Sequence, residues 1–189
     1  MSVPQYGLNK HADALKASVN NTGFKDITVV TAADDSHTLA ASDGGIVLIS
    51  VALASGAVIK LPTANKARVG LRYRIIFSGT MAAAAKIQLS NSGDAVFAGV
   101  ITQNRCGNAA GVADAAAVNR TTVVTTVAQG EKSMELDEND VTFGGAIGTD
   151  LEFIYASELV VFVSGNVLVN VASTAIDGLQ ATMFTGTGY

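Results

Sequence analysis

Residues 71–77 read Leu-Arg-Tyr-Arg-Ile-Ile-Phe, and this stretch gives the clearest strand signal in the chain. Because successive side chains of a strand point to opposite faces, positions 71, 73 and 75 share an apolar face and the two arginines share the other. A strand of this kind belongs to a sheet that covers a hydrophobic core on one side. The stretch therefore predicts a β-protein with a charged outer surface at this point.

Similar runs rich in Val, Ile and Thr recur along the chain at roughly 8–12-residue spacing, separated by Gly, Asn, Asp and Ser. The most pronounced runs are residues 46–51, 57–61, 95–101, 121–127, 151–155 and 159–171. About ten short strands at this spacing predict an all-β fold, and we expect an antiparallel β-sandwich or jelly roll. Within 159–171, Ser164-Gly165-Asn166 is expected to form the turn of a hairpin.

The chain has 189 residues, which is enough for one domain with its own core. Residues 1–24 are polar with isolated apolar positions, and we expect an N-terminal arm there. A short helix over residues 10–19 fits the apolar spacing, and a frayed terminus is the alternative. The β-domain is expected over residues 25–172, followed by a loosely held Gly- and Thr-rich tail over 173–189.

The composition limits the classes of function. Apolar residues make up 49% of the chain and charged residues 15%, where about a quarter is usual, so much surface is expected to be buried, in part between subunits. A net charge of −4 does not suit binding to a nucleic-acid backbone, which needs clustered Lys and Arg. No apolar run approaches about 20 residues and no signal peptide is recognisable, so we expect synthesis in a cytosol and no membrane partner.

The residues that could carry chemistry are few and dispersed. Only two histidines occur, His11 and His37, and although His37 follows Ser36, neighbouring side chains on a strand point to opposite faces. This arrangement does not place a serine nucleophile beside its base. Cys106 follows Arg105, whose charge would favour the thiolate, but no histidine lies nearby in sequence to act as its base. The sequence therefore predicts no enzyme and no cofactor.

Charged residues gather in two places. Half of the 16 acidic residues fall within residues 131–158, and the run 135–140 offers oxygen ligands for calcium, although it lacks the glycine and the distal glutamate of an EF-hand loop. A solvated acidic turn is the alternative. Arg68, Arg72 and Arg74 form a basic cluster that would suit carboxylates of a neighbouring subunit. An ordinary solvated sheet face is the alternative there.

The middle of the chain resembles a recurring module of tailed-phage virion proteins. The resemblance rests on a short strand, an Asp-Gly-Gly turn before an apolar strand, a strand that ends in Leu-Pro and a strand that begins Gly-Leu-Arg-Tyr, at residues 37–39, 43–49, 59–62 and 70–77. It covers residues 36–101, and more loosely residues 150–172, where the Trp expected in the closing strands is lacking.

Such modules occur in capsid decoration (cement) proteins and in the β-sandwich head domains of tail fibres. The resemblance implies a structural protein of the virion, frequently a homotrimer, that binds the major capsid protein on the outer capsid surface after synthesis in the host cytoplasm. The alternative is a tail fibre, knob or other appendage that binds the host surface. The candidate partner-binding residues are Tyr6, Leu8, Leu15, Val19, Arg68, Arg72 and Arg74.

A third class, a small β-fold hydrolase or lectin, would need a carboxylate pair or an aromatic platform for a sugar. Glu152 and Glu158 are the nearest candidate pair, and the chain has no Trp for the platform. The resemblance carries over no catalytic residue, no cofactor and no metal ligand.

Overall fold

The computed structural model describes twelve β-strands and two short 3-10 helices, and it contains no α-helix within the described residues. Those residues are 27–31, 36–43, 45–54, 56–79, 85–90, 94–105, 120–125, 130–136, 144–169 and 184–185. The strands are β1 (Thr28–Val30), β2 (His37–Thr38), β3 (Gly45–Ile49), β4 (Val58–Leu61), β5 (Arg72–Phe77), β6 (Ala85–Leu89), β7 (Val96–Arg105), β8 (Arg120–Thr125), β9 (Ser133–Leu136), β10 (Asp150–Tyr155), β11 (Val160–Val169) and β12 (Phe184–Thr185). The 3-10 helices are Ala41–Asp43 and Lys66–Arg68. The predicted all-β class is confirmed.

The strands form two sheets, and the chain passes back and forth between them. The seven-stranded sheet has the order β1-β3-β5-β10-β11-β7-β8, and the five-stranded sheet has the order β12-β9-β6-β4-β2. From β1 to β7, odd-numbered strands enter the first sheet and even-numbered strands enter the second. Successive strands of one sheet therefore run in the same direction. The strands β1, β3 and β5 are parallel, as are β2, β4 and β6.

The sheets are therefore mixed, and the expectation of purely antiparallel sheets is wrong. Alternation of side chains gives the two faces of each strand, but it carries no information about the direction of the neighbouring strand. Parallel neighbours need a long crossover between them, and here the crossover is a strand of the other sheet rather than a helix. Antiparallel pairs involve the later strands: the β10–β11 hairpin lies between β5 and β7, β8 pairs with β7, and β9 pairs with β6 and β12.

The predicted hairpin within residues 159–171 is not present. Residues 160–169 form the single strand β11, which pairs in parallel with β7 along its whole length and antiparallel with β10. Gly165 sits inside this strand at a φ of +136°, and a Cβ there would overlap the carbonyl oxygen of Asp150. The glycine thus permits a close approach between the backbones of two strands, which is a common reason for glycine within a strand.

Both sheets contribute to one hydrophobic core. The largest side chains with almost no exposure are aromatic, and they come mainly from the seven-stranded sheet: Tyr73, Phe77, Phe97, Phe153 and Tyr155. Aliphatic residues of the five-stranded sheet, such as Ile59 and Ile87, belong to the same cluster. The core therefore fixes the opposite face of the seven-stranded sheet as its outer surface.

Two buried tyrosines fasten loops to this core. The Tyr73 hydroxyl donates to the carbonyl of Ala40 at 2.7 Å, and the Tyr155 hydroxyl donates to the carbonyl of Pro62 at 2.6 Å. Their rings lie 6.2 Å apart at 57°. Burial raises the pKa of Tyr155 well above its usual value, because the charged form would lose its hydration. The Tyr155 hydroxyl therefore remains a protonated donor at neutral pH.

Two residues of the predicted tail belong to the fold. Phe184 and Thr185 form β12 and pair with Met134 and Ser133 of β9. The Phe184 ring lies 6.3 Å from that of Phe97, and the side chain is only 4% exposed. At this point the tail is thus held by the core. The predicted arm, residues 1–24, lies outside the described residues.

Candidate functional site: the outer face of the seven-stranded sheet

The centre of the outer face is formed by three neighbouring strands, β5, β10 and β11. We call eight of the side chains of these strands that point away from the core the central outer face: Arg72, Arg74, Asp150, Glu152, Ile154, Phe162, Ser164 and Asn166. Strand register places them in rows across the sheet. Arg74 lies opposite Glu152, which lies opposite Ser164, and Arg72 lies opposite Ile154, which lies opposite Phe162.

Arg74 forms a two-point ion pair with Asp150. Its Nε lies 2.9 Å from Oδ1 of Asp150, and its Nη2 lies 2.5 Å from Oδ2. This hydrogen bond and the charge of Asp150 raise the pKa of the Arg74 guanidinium, with a smaller contribution from the charge of Glu152. Because the Arg74 side chain is 55% exposed, solvent screens the pair and it adds little stability. Its main effect is to hold and neutralise Arg74 within its own chain.

Arg72 and Glu152 lie diagonally across β5 and β10, one step of the register apart. Arg72 is exposed and Glu152 is half-buried. Diagonal neighbours in a sheet are about 7–8 Å apart, a separation that long side chains can bridge, as Arg74 and Asp150 do across the same two strands. Among the described residues, neither side chain forms an ion pair. The central outer face thus presents one cation and one anion that have no ion-pair partner among the described residues.

A shallow depression of about 270 Å³ opens on this face. Its lining comes from β5, β10 and β11 and consists of Arg74, Asp150, Glu152, Ser164, Gly165 and Asn166. The Asn166 carboxamide oxygen accepts a hydrogen bond from Asn104 Nδ2 at 3.2 Å. The lining therefore offers guanidinium, carboxylate, hydroxyl and amide groups within one small area.

Apolar side chains adjoin these polar groups. Phe162 is 49% exposed and Val100, on the neighbouring strand β7, is 48% exposed. At the far edge of the sheet, Ile27 and Val29 are 54% and 46% exposed. An outward sheet face is usually polar, and a group of exposed apolar residues rimmed by polar ones is typical of an interaction surface. The outer face is therefore the best candidate for binding a partner.

The three arginines of the predicted basic cluster do not act alike. Arg72 and Arg74 share the outer face of β5, as their alternation predicts. Arg68 ends a 3-10 helix, and its Nη1 donates to the carbonyl of Thr63 at 2.7 Å. It therefore fastens the loop that follows β4. The four candidate arm residues, Tyr6, Leu8, Leu15 and Val19, lie outside the described residues.

The other candidate groups are distributed over the molecule. His37 is on β2 opposite Ile59, and Glu135 is on β9, where its carboxylate lies 3.6 Å from Lys86 Nζ. Residues 137–140 of the acidic run lie outside the described part of the chain. Within the part that is described, no three His, Cys, Asp or Glu side chains are grouped to hold a metal ion. None of the described helices is long and apolar enough to cross a membrane.

No protein-family model, no curated protein and no solved structure matches this chain. Sequence reasoning missed Asp150 and Phe162 as residues of the outer face. The alternation of residues 150–155 places Asp150 and Glu152 on one side of a strand, but nothing local shows that this strand lies beside β5.

Proposed function

We propose that this chain is a non-enzymatic structural protein of a tailed-phage virion that decorates the outer capsid surface and stabilises the shell. We also propose that its two sheets are the layers of a sandwich related to a jelly roll. The resemblance over residues 36–101 suggests the class. The observation that carries the attachment is the pair of exposed side chains Ile27 and Val29, the first directly before the edge strand β1 and the second within it.

In this proposal, the arm and the β1 edge bind neighbouring major capsid proteins together. Burial of a large aliphatic side chain that is half exposed contributes about 1 kcal/mol. One such contact is small, but it is repeated in every copy around the shell. A protein that binds only the assembled shell shifts the assembly equilibrium by mass action. Neither nucleic acid nor a membrane is proposed as a partner, and the homotrimer implied by the resemblance stays a prediction.

Immunogold electron microscopy tests the proposal directly. Antibodies against the purified chain would be applied to virus particles released from cells that carry the gene. We expect gold particles distributed over the capsid surface. Particles that carry the chain nowhere on the virion would refute a structural role in it.

The second candidate function is a tail fibre, knob or other appendage that binds the host surface. The depression beside Phe162 favours this candidate, because its guanidinium, carboxylate, hydroxyl and amide groups match the hydroxyl groups of a surface saccharide. Gold label restricted to the tail would support the appendage and exclude capsid decoration. The same micrographs therefore distinguish the two candidates.

A further inference from the structure

We infer that two copies of this chain bind each other through the central outer face, so that Arg72 of each copy meets the partner's Glu152. The two copies are related by a two-fold axis that lies between the facing sheets. This inference concerns self-association, does not depend on the proposed role in a virion and competes with the homotrimer that the resemblance implies.

The charges of the face favour a second copy as the occupant. Arg72 and Glu152 are adjacent, opposite in sign and without an ion-pair partner among the described residues. A partner with a basic surface would leave Arg72 facing like charge, and an acidic partner would do the same to Glu152. A copy of the same face offers one cation and one anion. In a two-fold interface each contact between different residues occurs twice, so both charges are neutralised in both copies.

The spacing of the strands allows this contact. Neighbouring strands lie about 4.8 Å apart and each residue rises about 3.3 Å, which fixes the positions of Arg72 and Glu152 on the face. One two-fold axis in the plane of the interface exchanges these two positions. With the same strand separation and rise per residue, this axis passes close to Phe162. Phe162 lies two strands from Arg72 in the same row. The Phe162 and Ile154 side chains of both copies then pack around the axis.

Arg74 also lies near this axis, so the two copies bring their Arg74 side chains close together. Two free guanidinium groups there would repel each other. Asp150 neutralises Arg74 within each chain through the two-point ion pair, which removes most of this repulsion. The ion pair that adds little to the stability of one chain thus has a physical role between two chains.

The size of the face sets the expected affinity. Seven strands at about 4.8 Å span about 30 Å, and five residues at about 3.3 Å span about 17 Å, so the whole outer face of the seven-stranded sheet, of which the central outer face is a part, measures about 500 Å². A stable interface usually buries about 800 Å² on each partner. Because sheets twist, the contact also concentrates on the central strands. We therefore expect a dissociation constant of about 1–100 µM rather than a nanomolar one.

Charge reversal with rescue tests the inference. The full chain and the variants Arg72→Glu and Glu152→Arg would be studied by sedimentation equilibrium at total concentrations of about 1–300 µM, at low and high salt. We expect a monomer–dimer equilibrium for the unaltered chain, and each single variant should weaken it about tenfold or more through like-charge contacts. The double variant Arg72→Glu/Glu152→Arg should restore the dissociation constant to within about threefold, because the exchanged charges pair again.

Two matched controls reverse exposed charges elsewhere. Lys66→Glu changes a cation on a 3-10 helix, and Glu158→Arg changes an anion in the β10–β11 loop. Both should leave the dimer unchanged, and unchanged circular dichroism should show that every variant is folded. A chain that remains monomeric at the highest concentration overturns the inference. So does a trimer, or a dimer on which the single reversals have no effect, since these outcomes place self-association elsewhere.

Discussion

Gly99 offers a sharp test of the strand order, because it lies directly opposite Val163 of β11. Its φ is +152°, a region that side chains rarely adopt. A Cβ at this position would lie 2.9 Å from the carbonyl carbon and 3.0 Å from the nitrogen of Val163, and it would overlap the Val163 carbonyl oxygen. These are backbone atoms of the neighbouring strand, so they cannot move aside without a displacement of β11.

The cost of Gly99→Ala has two parts. Holding a residue with a side chain in this backbone region costs about 1–3 kcal/mol. Forcing an extra carbon into a closed contact costs about 1–3 kcal/mol more. Gly70 separates the two parts, because its φ is +89° but no atom lies within 4 Å of a Cβ built there. We therefore expect Gly99→Ala to destabilise the fold by about 4 kcal/mol, and Gly70→Ala by only about 1–2 kcal/mol.

Thermal and urea unfolding measure this difference. In a chain of this size each kcal/mol lowers Tm by about 2–4 °C, so we expect a fall of about 10 °C for Gly99→Ala and about 4 °C for Gly70→Ala. The slope of the urea transition should stay constant, since both variants unfold to the same exposed surface. Equal falls for the two variants would show that β11 does not lie against Gly99, and the parallel pairing of β7 with β11 would then be wrong.

Four further outcomes are expected. Tyr155→Phe removes the donor to the buried carbonyl of Pro62, and the free energy of unfolding measured in urea should fall by about 1–3 kcal/mol; an unchanged value would contradict the hydrogen bond. Because the pKa of Tyr155 is raised in the folded chain, stability should fall above about pH 10, where the unfolded chain loses the proton first. Tyr155→Phe should reduce this alkaline fall, and identical profiles would argue against burial of the phenol. Phe184→Ala opens the core beside Phe97 and should cost about 3–5 kcal/mol, whereas a loss below about 1 kcal/mol would place β12 outside the core. Deleting residues 1–24 should leave the far-ultraviolet spectrum of the β-domain unchanged but lower its occupancy on capsids, and full occupancy would remove the arm from the attachment.

The sequence allows the faces of the strands to be predicted, but it does not give their neighbours. In β5 the alternation from Arg72 to Phe77 places the arginines outside and the apolar residues inside, as the structure has them. The same pattern is compatible with a parallel or an antiparallel neighbour. From β1 to β7 the chain alternates between the two sheets, and this alternation depends on which sheet each loop leads to. No local pattern determines that, because it depends on how the whole core packs.

The residues of the candidate site, too, come together only through strand neighbours that the sequence does not give. Arg74 and Asp150 are 76 residues apart in the chain, and only the pairing of β5 with β10 brings them together. The hairpin expected within residues 159–171 depended on a glycine that could mark either a turn or a close contact between strands. Gly165 marks the close contact, because its missing side chain leaves room for the carbonyl of Asp150. The local sequence around Gly165 would be the same whether this glycine formed a turn or a close contact between strands.

The lengths of the edge strands bear on how this molecule meets its partners. Within the described residues, three of the four edge strands are short, with three residues in β1 and two each in β2 and β12. Short edges offer few backbone groups to which another chain could add a strand. Association through faces is then favoured over addition to edges. The face that the β10–β11 hairpin completes carries exposed Phe162 and two charges without an ion-pair partner among the described residues. The hairpin that joins β5 to β7 within the seven-stranded sheet thus also forms the surface that we propose for self-association.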